Sequence, residues 1–133
     1  MADTFELEIV TPDKLVVKEA VEELQMPGAD GYLGILPGHA PLITELAVGE
    51  LTYRADGTTH RVVVCWGFAE VLPERVTILA ETCERPTEID VARAQQAKVR
   101  AEDRLKSGST EVDYGRAEEA LQRASARIDV AGK

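Results

Sequence analysis

One short stretch of the chain, residues 82–94, separates two regions with different hydrophobic periodicities. Before it, short runs of alternating apolar and polar residues recur with turns between them, which is typical of β-strands. After it, apolar residues recur at three- and four-residue intervals, which is typical of amphipathic helices. The charge changes at the same place: residues 1–83 contain 5 Lys/Arg and 14 Asp/Glu, whereas residues 84–133 contain 10 of each. We therefore predict two structural units, 1–83 and 84–133, which meet at this joint.

The first unit is predicted to be an antiparallel β-sandwich or barrel of about eight short strands. The predicted strands are 5–10, 14–18, 20–26, 41–46, 48–54, 60–66, 68–72 and 75–80. A segment at 31–41 contains three glycines and two prolines, so we expect a shaped surface loop there. Its His39 has no Cys or Ser partner that suggests catalysis, and we expect it to fix a turn or an interface.

The second unit is predicted to be an antiparallel hairpin of two helices. The first helix would start with Thr87 as its N-cap and end near Lys106; the second would follow a cap at Thr110 and run towards Val130. The stripes that would face each other are Ala94, Ala97, Ala101 and Leu105, and Ala117, Leu121, Ala124 and Ile128. Because each buried methyl contributes only about 0.8 kcal/mol, this alanine seam predicts a hairpin that can open.

Charge and composition argue against several classes of function. The net charge of −9 disfavours binding to nucleic acid or to an anionic membrane surface. The longest strongly apolar run, 62–66, is far shorter than the roughly 20 residues that span a bilayer, and the first residues do not resemble a signal peptide. Cys65 and Cys83 have no Cys or His neighbours at metal-ligand spacing, so we expect no metal. These features predict a chain that is cytosolic or peripheral on a cytosolic membrane face.

Three arginines are predicted to converge near the joint. If the hairpin turns at the Ser-Gly-Ser segment 107–109, Arg93 lies level with a point between Arg123 and Arg127. Like charges one helical turn apart are destabilising, so the cluster requires an anion. That anion is either supplied by the chain itself or bound from solution, and the planar guanidinium group suits phosphate.

The chain's own acids offer a purely structural alternative. Asp90 and Glu84 would neutralise the cluster, Asp90 would also cap the helix or pair locally with Arg93, and Arg127 would complement the helix C-terminus. The residues alone leave both interpretations open.

Three short motifs make the first unit recognisable. They are Thr-Pro-Asp at 11–13, Gly-Ile-Leu-Pro-Gly-His-Ala-Pro at 34–41 and Gly-Phe-Ala-Glu-Val at 67–71. Together with the strand pattern and the helical tail, they resemble the epsilon subunit of bacterial F-type ATP synthases over the whole chain. The block at 34–39 is highly specific. Trp66 departs from the family, which usually has a small residue before the Gly-Phe pair.

The resemblance implies a ligand for the arginine cluster. Some epsilon subunits, particularly from bacilli, bind ATP in the folded hairpin through an Ile/Leu-Asp-x-x-Arg-Ala motif, and residues 89–94 match it in full. ATP would be a regulatory ligand and not a substrate, with no metal. The nucleotide-binding residues that the resemblance implies are Glu84, Asp90, Arg93, Arg123 and Arg127.

The resemblance also implies a non-catalytic rotor subunit in the central stalk. The sandwich would pack on the gamma subunit and the c-subunit ring, helping to couple proton flow to ATP synthesis. The hairpin would extend to the alpha and beta subunits and inhibit ATP hydrolysis, and ATP would stabilise its folded form. Such a subunit would be peripheral, on the cytoplasmic face of the bacterial cell membrane.

Two other classes of function stay open on the residues alone. A free-standing ATP sensor or helical-hairpin interaction module would need the same hairpin, and copurification with gamma would distinguish it. An enzyme is poorly supported, because the chain has no phosphate loop and no nucleophile beside a base. Glu84 and Asp90 are the one pair that could mimic an acid/base couple.

Overall fold

The computed structural model describes residues 3–132, which form seven strands followed by two helices. The strands are β1 (Phe5–Val10), β2 (Leu15–Val21), β3 (Glu23–Gly28), β4 (Gly31–Ile35), β5 (Leu42–Ala55), β6 (Thr58–Leu72) and β7 (Arg75–Glu84). A 3₁₀ turn (Pro86–Glu88) leads to α1 (Val91–Lys106) and α2 (Tyr114–Ala131). The predicted order of a β unit followed by a two-helix hairpin is confirmed.

The seven strands form one sheet in the order β2-β1-β7-β6-β5-β3-β4, which encloses the main core. All neighbouring strands are antiparallel except β1 and β7, which pair in parallel. This one pairing departs from the antiparallel prediction, because β1 and β7 are far apart in the chain and need no tight turn between them. The largest fully buried side chains include Tyr53, Leu7, Ile9, Leu24, Met26 and Leu51.

The number of strands is seven and not about eight, for two reasons. The predicted pairs 41–46 with 48–54, and 60–66 with 68–72, are each one continuous strand, β5 and β6. In addition, the first five residues of the predicted loop 31–41 form β4, which pairs with β3 around a tight turn. The loop prediction was therefore wrong for Gly31–Ile35, although the residues that follow do connect β4 to β5.

The division of β6 was predicted because its apolar pattern changes phase. Core side chains occur at Val62 and Val64, and then at Ala69 and Val71, an odd offset that transfers the core-facing side to the opposite face of the strand. The change of face occurs at Trp66 and Gly67, and Gly67 has a φ of 143°. Pairing with β5 and β7 continues in register on both sides, so the strand bends without ending.

Both helices begin later than predicted. Thr87 lies inside the 3₁₀ turn, where the Glu88 carboxylate accepts from the backbone N–H of Arg85. The N-cap of α1 is Asp90, and the N-cap of α2 is Asp113 and not Thr110. The helix α1 begins late because Ile89, between the turn and the N-cap, has an extended backbone and buries its side chain. The predicted end of α1 at Lys106 is confirmed.

The helices pack along the predicted alanine seam and dock on the sandwich through a small second cluster. Ala94, Ala101, Ala117 and Ala124 are buried between α1 and α2. The docking cluster consists of Val63 on β6, Ile89 before α1 and Val130 near the end of α2. Because only three buried side chains form it, the hairpin is attached far more weakly than the strands are to one another.

Truncation of the docking cluster is expected to release the hairpin selectively. Val130→Ala should lower the free energy of hairpin docking by about 1–2 kcal/mol, from lost methyl burial and the cavity left behind. Amide hydrogen exchange would then accelerate in α1 and α2 and stay slow in the sheet. Val64→Ala, which truncates the main core instead, is the matched control. Faster exchange in the sheet alone would contradict this role of Val130.

Candidate functional site

A cleft of about 410 Å³ opens between the two helices and the end of β7. Alanines of the seam form its floor, and charged side chains form its walls. The charged residues that line it are Glu84, Glu88, Asp90, Arg93, Arg100, Arg104, Arg123 and Arg127. The structure thus brings together all five residues that the resemblance implies. The small alanines allow the two helices to approach closely. The long arginine side chains then enclose the space above them.

The joint beneath the cleft is fastened to the sandwich by Arg85. Its two Nη atoms donate to the hydroxyl of Tyr53 and to the carbonyl oxygen of Val16, each at 3.2 Å. The Lys14 ammonium group adds a bond of 3.1 Å to Glu88. These contacts attach the chain to the sandwich as far as Glu88. A movement of the hairpin would therefore pivot after this residue.

Each carboxylate in the cleft already has a partner within the chain. Glu84 accepts from Nε of Arg127 in a half-buried ion pair. Glu88 accepts from the backbone N–H of Arg85 and from Lys14, and these two hydrogen bonds lower the pKa of its carboxyl group. Asp90 Oδ1 caps α1 by accepting from the backbone N–H of Arg93 at 3.1 Å. Glu84 and Glu88 are therefore each paired with a cation. The bond that Asp90 accepts comes from an uncharged backbone N–H, so its negative charge still offsets part of the arginine charge.

The arginines of the cleft exceed its acids by five to three. Within residues 3–132, the guanidinium groups of Arg93, Arg100 and Arg104 make no ion pair. Arg127 bonds Glu84 through Nε, so its two Nη atoms remain available. The local surplus of positive charge occurs in a chain with a net charge of −9. Such an arrangement favours a multivalent anion with several oxygens, which forked guanidinium donors bind well.

Arg123 is held differently from the other arginines. Its Cζ atom lies 5.3 Å from the ring centroid of Trp66 on β6, within cation–π range. No charge pattern in the sequence indicated this contact, because it joins the bend of β6 to the middle of α2. The cleft residues Arg100 and Arg104 were also missed, although their seven- and eleven-residue offsets from Arg93 place all three on one helix face.

The two cysteines are both buried and unbridged. Burial raises the pKa of the Cys65 thiol, whereas a hydrogen bond with Thr82 and the positive charges of Arg127 and Arg123 oppose that shift. Burial in the main core raises the pKa of Cys83 to about 12. Within the described residues, no three His, Cys, Asp or Glu side chains are grouped so that they could hold a metal ion.

A second depression in the surface does not suit an anion. This groove, of about 630 Å³, lies on the sandwich between β1, β5, β6 and β7 and is lined by Leu46, Trp66, Phe68 and Leu79 among others. Its lining contains Glu45 and Glu81 but no Lys or Arg. The arginine cleft is therefore the candidate ligand site.

Two family models match nearly the whole chain. The β-sandwich domain of the ATP synthase Delta/Epsilon chain matches residues 4–86, and the long α-helix domain of the same chain matches residues 87–132. The chain belongs to the ATP synthase delta/epsilon family. The resemblance to epsilon subunits that the motifs indicated is confirmed.

Bacterial members of the family are close in sequence. The ATP synthase epsilon chain of Koribacter versatilis is 69% identical over 107 residues, covering 80% of this chain and 75% of the relative. That of Nitratidesulfovibrio vulgaris strain DP4 is 52% identical over 105 residues, covering 79% of this chain and 78% of the relative. This delta/epsilon-family chain is thus an epsilon chain of ATP synthase.

The fold also matches a solved assembly. A chain in the cryo-EM structure of the Euglena gracilis mitochondrial ATP synthase, OSCP/F1/c-ring, superimposes with a TM-score of 0.86 over 100% of this chain and 84% of that chain. The sequence identity is 24%, so this likeness supports the fold alone. None of the helices within residues 3–132 is long and apolar enough to cross a membrane.

Proposed function

We propose that this epsilon chain is a non-catalytic rotor subunit whose hairpin is a brake on ATP hydrolysis and binds ATP as a regulatory ligand. The observation that carries the ATP-binding part is the surplus of unneutralised arginines in a cleft formed jointly by both helices and the end of β7. A triphosphate supplies the missing negative charge and has enough oxygens for several guanidinium groups.

The placement of the site on three separate elements supports regulation by the ligand. Glu84 ends β7, Arg93 is on α1 and Arg127 is on α2. An anion bound to both helices holds them together and against the sandwich, whereas an opened hairpin separates these groups. ATP therefore binds the folded form better, and this difference in affinity is what shifts the equilibrium between the two forms.

The weak attachment of the hairpin supports its role as a brake. The helices bury a seam of alanines and, against the sandwich, the three-residue docking cluster with Ala126 and Ala131 beside it, so extension exposes little apolar surface. Once released, Arg116, Arg123 and Arg127 become free to meet acidic surfaces on the alpha and beta subunits. Because the joint is attached to the sandwich as far as Glu88, the hairpin can extend while the sandwich keeps its place in the stalk.

The outer face of the sandwich supports docking on the stalk. Ile43, Phe68 and Leu79 lie on the adjacent strands β5, β6 and β7 and are 73%, 56% and 56% exposed. Exposed apolar side chains grouped in this way are typical of protein–protein contacts. We assign such contacts to the gamma subunit and the c-subunit ring, with the complex on the cytoplasmic face of the bacterial membrane.

The two rival hypotheses have less support. A free-standing ATP sensor does not need the exposed apolar face, and it would elute without gamma on purification. An acid/base enzyme would need a free carboxylate, but Glu84 is paired with Arg127 and Asp90 is a helix cap.

Calorimetric titration of ATP and then ADP into the isolated chain tests ATP binding. We expect ATP to bind more tightly than ADP, and Arg93→Ala to lower the ATP affinity by about 10- to 100-fold, the usual loss for a charge-assisted bond. Arg75→Ala, on the sandwich and outside the cleft, is the control and should bind normally. Absence of ATP binding up to millimolar concentrations would overturn the regulatory site and leave the rotor assignment standing.

Thiol alkylation tests the opening of the hairpin. In the folded form Cys65 is buried outside the main core, whereas Cys83 lies within the main core. We expect iodoacetamide at pH 8 to modify Cys65 slowly, through open hairpins, and ATP to slow this reaction further. A Cys65→Ser variant, with Cys83 alone, should stay unreactive with or without ATP. Equal alkylation rates of Cys65 with and without ATP would contradict ligand-driven closure.

A further inference from the structure

Trp66 adopts a backbone conformation that aromatic residues normally avoid. Its φ is 47°, in the left-handed region, which is costly for a bulky side chain. The neighbouring pairs, Cys65 with Val48 and Gly67 with Leu46, keep the same register in the ladder with β5, so the strain is local to one residue. Strain of this kind persists only where the surrounding structure imposes it, and it concentrates at functional sites.

The contact that accompanies this strain is with a residue of the cleft. The half-buried indole lies beside the guanidinium group of Arg123, with Cζ 5.3 Å from the ring centroid. Trp66 belongs to β6 and Arg123 to α2, so the contact spans the interface between sandwich and hairpin. The strained strand residue and the cleft arginine are thereby linked directly.

A guanidinium group in a cation–π contact differs from one in an ion pair in what it leaves free. The ring attracts the cation without supplying a hydrogen-bond acceptor oxygen, so the N–H donors stay available to phosphate. Arg127 has its Nε engaged by Glu84. Arg123 makes no ion pair within the described part of the chain, and the ring restricts its motion without occupying its donors. Pre-orientation of a long side chain lowers the entropy cost of ligand binding.

We infer that Trp66 is a positioning residue of the anion site: its ring holds Arg123 in the cleft with the N–H donors free for a nucleotide phosphate. This inference rests on the proposed binding of ATP. It gives a role in ligand affinity to Trp66, the unusual residue that directly precedes the motif 67–71. Because Trp66 is the only tryptophan, its emission also reports the contact.

A double-mutant cycle measured by calorimetric ATP titration tests the inference. Trp66→Asn removes the ring with a residue that tolerates left-handed backbone, and we expect ATP affinity to fall about three- to ten-fold, the range of a partly desolvated cation–π contact. Trp66→Phe keeps a ring and should restore most of the affinity. In an Arg123→Ala background, Trp66→Asn should have no further effect, because its action passes through Arg123.

The outcomes separate this inference from the proposed function. Equal ATP affinities of the wild-type chain and Trp66→Asn would overturn the positioning role and leave ATP binding intact. Equal losses from Trp66→Asn with and without Arg123 would assign the effect to general damage and also overturn it. No ATP binding by the wild-type chain would overturn both proposals. Without ligand, Arg123→Ala should shift the Trp66 emission; unchanged emission would contradict the contact itself.

Discussion

Gly67→Ala is expected to prevent the sandwich from folding, or to lower its free energy of unfolding by more than about 4 kcal/mol, the level reached by severe backbone clashes. A Cβ atom at this position would lie 1.9 Å from the carbonyl oxygen of Leu79 and 2.8 Å from Cα of Ala80. Both are backbone atoms of β7, which is paired with β6 in this region, so neither can move aside. The φ of 143° adds strain for any residue with a side chain.

Urea unfolding followed by circular dichroism would measure this loss. Gly34→Ala is the matched control, because it also lies in a strand but a Cβ there meets nothing within 4 Å. We expect its unfolding midpoint to stay close to that of the wild-type chain. A normal midpoint for Gly67→Ala would mean that β6 can bend in another way and that its change of apolar phase does not depend on a glycine at this position.

Arg127→Ala is expected to have the largest effect on the ligand site. It removes a phosphate donor and also leaves Glu84 half-buried without its cation. We expect ATP affinity to fall about 100-fold, because a charge-assisted bond is lost and the folded hairpin is destabilised at the same time. Hydrogen exchange of α2 should therefore be faster even without ATP, and ATP should no longer slow it.

Two variants separate these two effects. Glu84→Gln breaks the ion pair but keeps the Arg127 cation, so it should loosen the hairpin with a smaller loss of ATP affinity. Arg116→Ala removes an arginine of the same helix that does not line the cleft, and it should change neither quantity. Unchanged calorimetric affinity of Arg127→Ala would remove this residue from the proposed site.

The helical half of the structure was predictable because its determinants are local. Alanine spacing defines the seam, and a short loop requires antiparallel helices, so the levels of Arg93, Arg123 and Arg127 follow from helix geometry. The N-cap of α1 was misplaced because Thr87 and Asp90 both suit a cap. The choice between them depends on burial of Ile89 against the sandwich, a contact that is distant in sequence.

The sheet was less predictable because two different structures produce the same apolar pattern in the sequence. A change of apolar phase in β6 can mark either a turn between two strands or a bend within one, and the answer depends on packing against β7. The Trp66–Arg123 contact was hidden for a similar reason, since it needs both the bend and the docking of α2. The ion pair of Glu84 with Arg127 could be anticipated from the sequence, because both residues were already placed near the joint.

The parallel pairing of β1 with β7 has a consequence for the order of events in the life of the chain. Glu6 pairs with Arg75, so the first strand has no place beside β7 until nearly the whole sandwich has been synthesised. Long-range pairings of this kind form slowly, whereas a hairpin with local contacts forms within microseconds. The sandwich is therefore the slow-forming part of the chain, and the helical hairpin is the fast-forming part. Under the proposed function, slow assembly belongs to the sandwich and rapid regulation belongs to the hairpin.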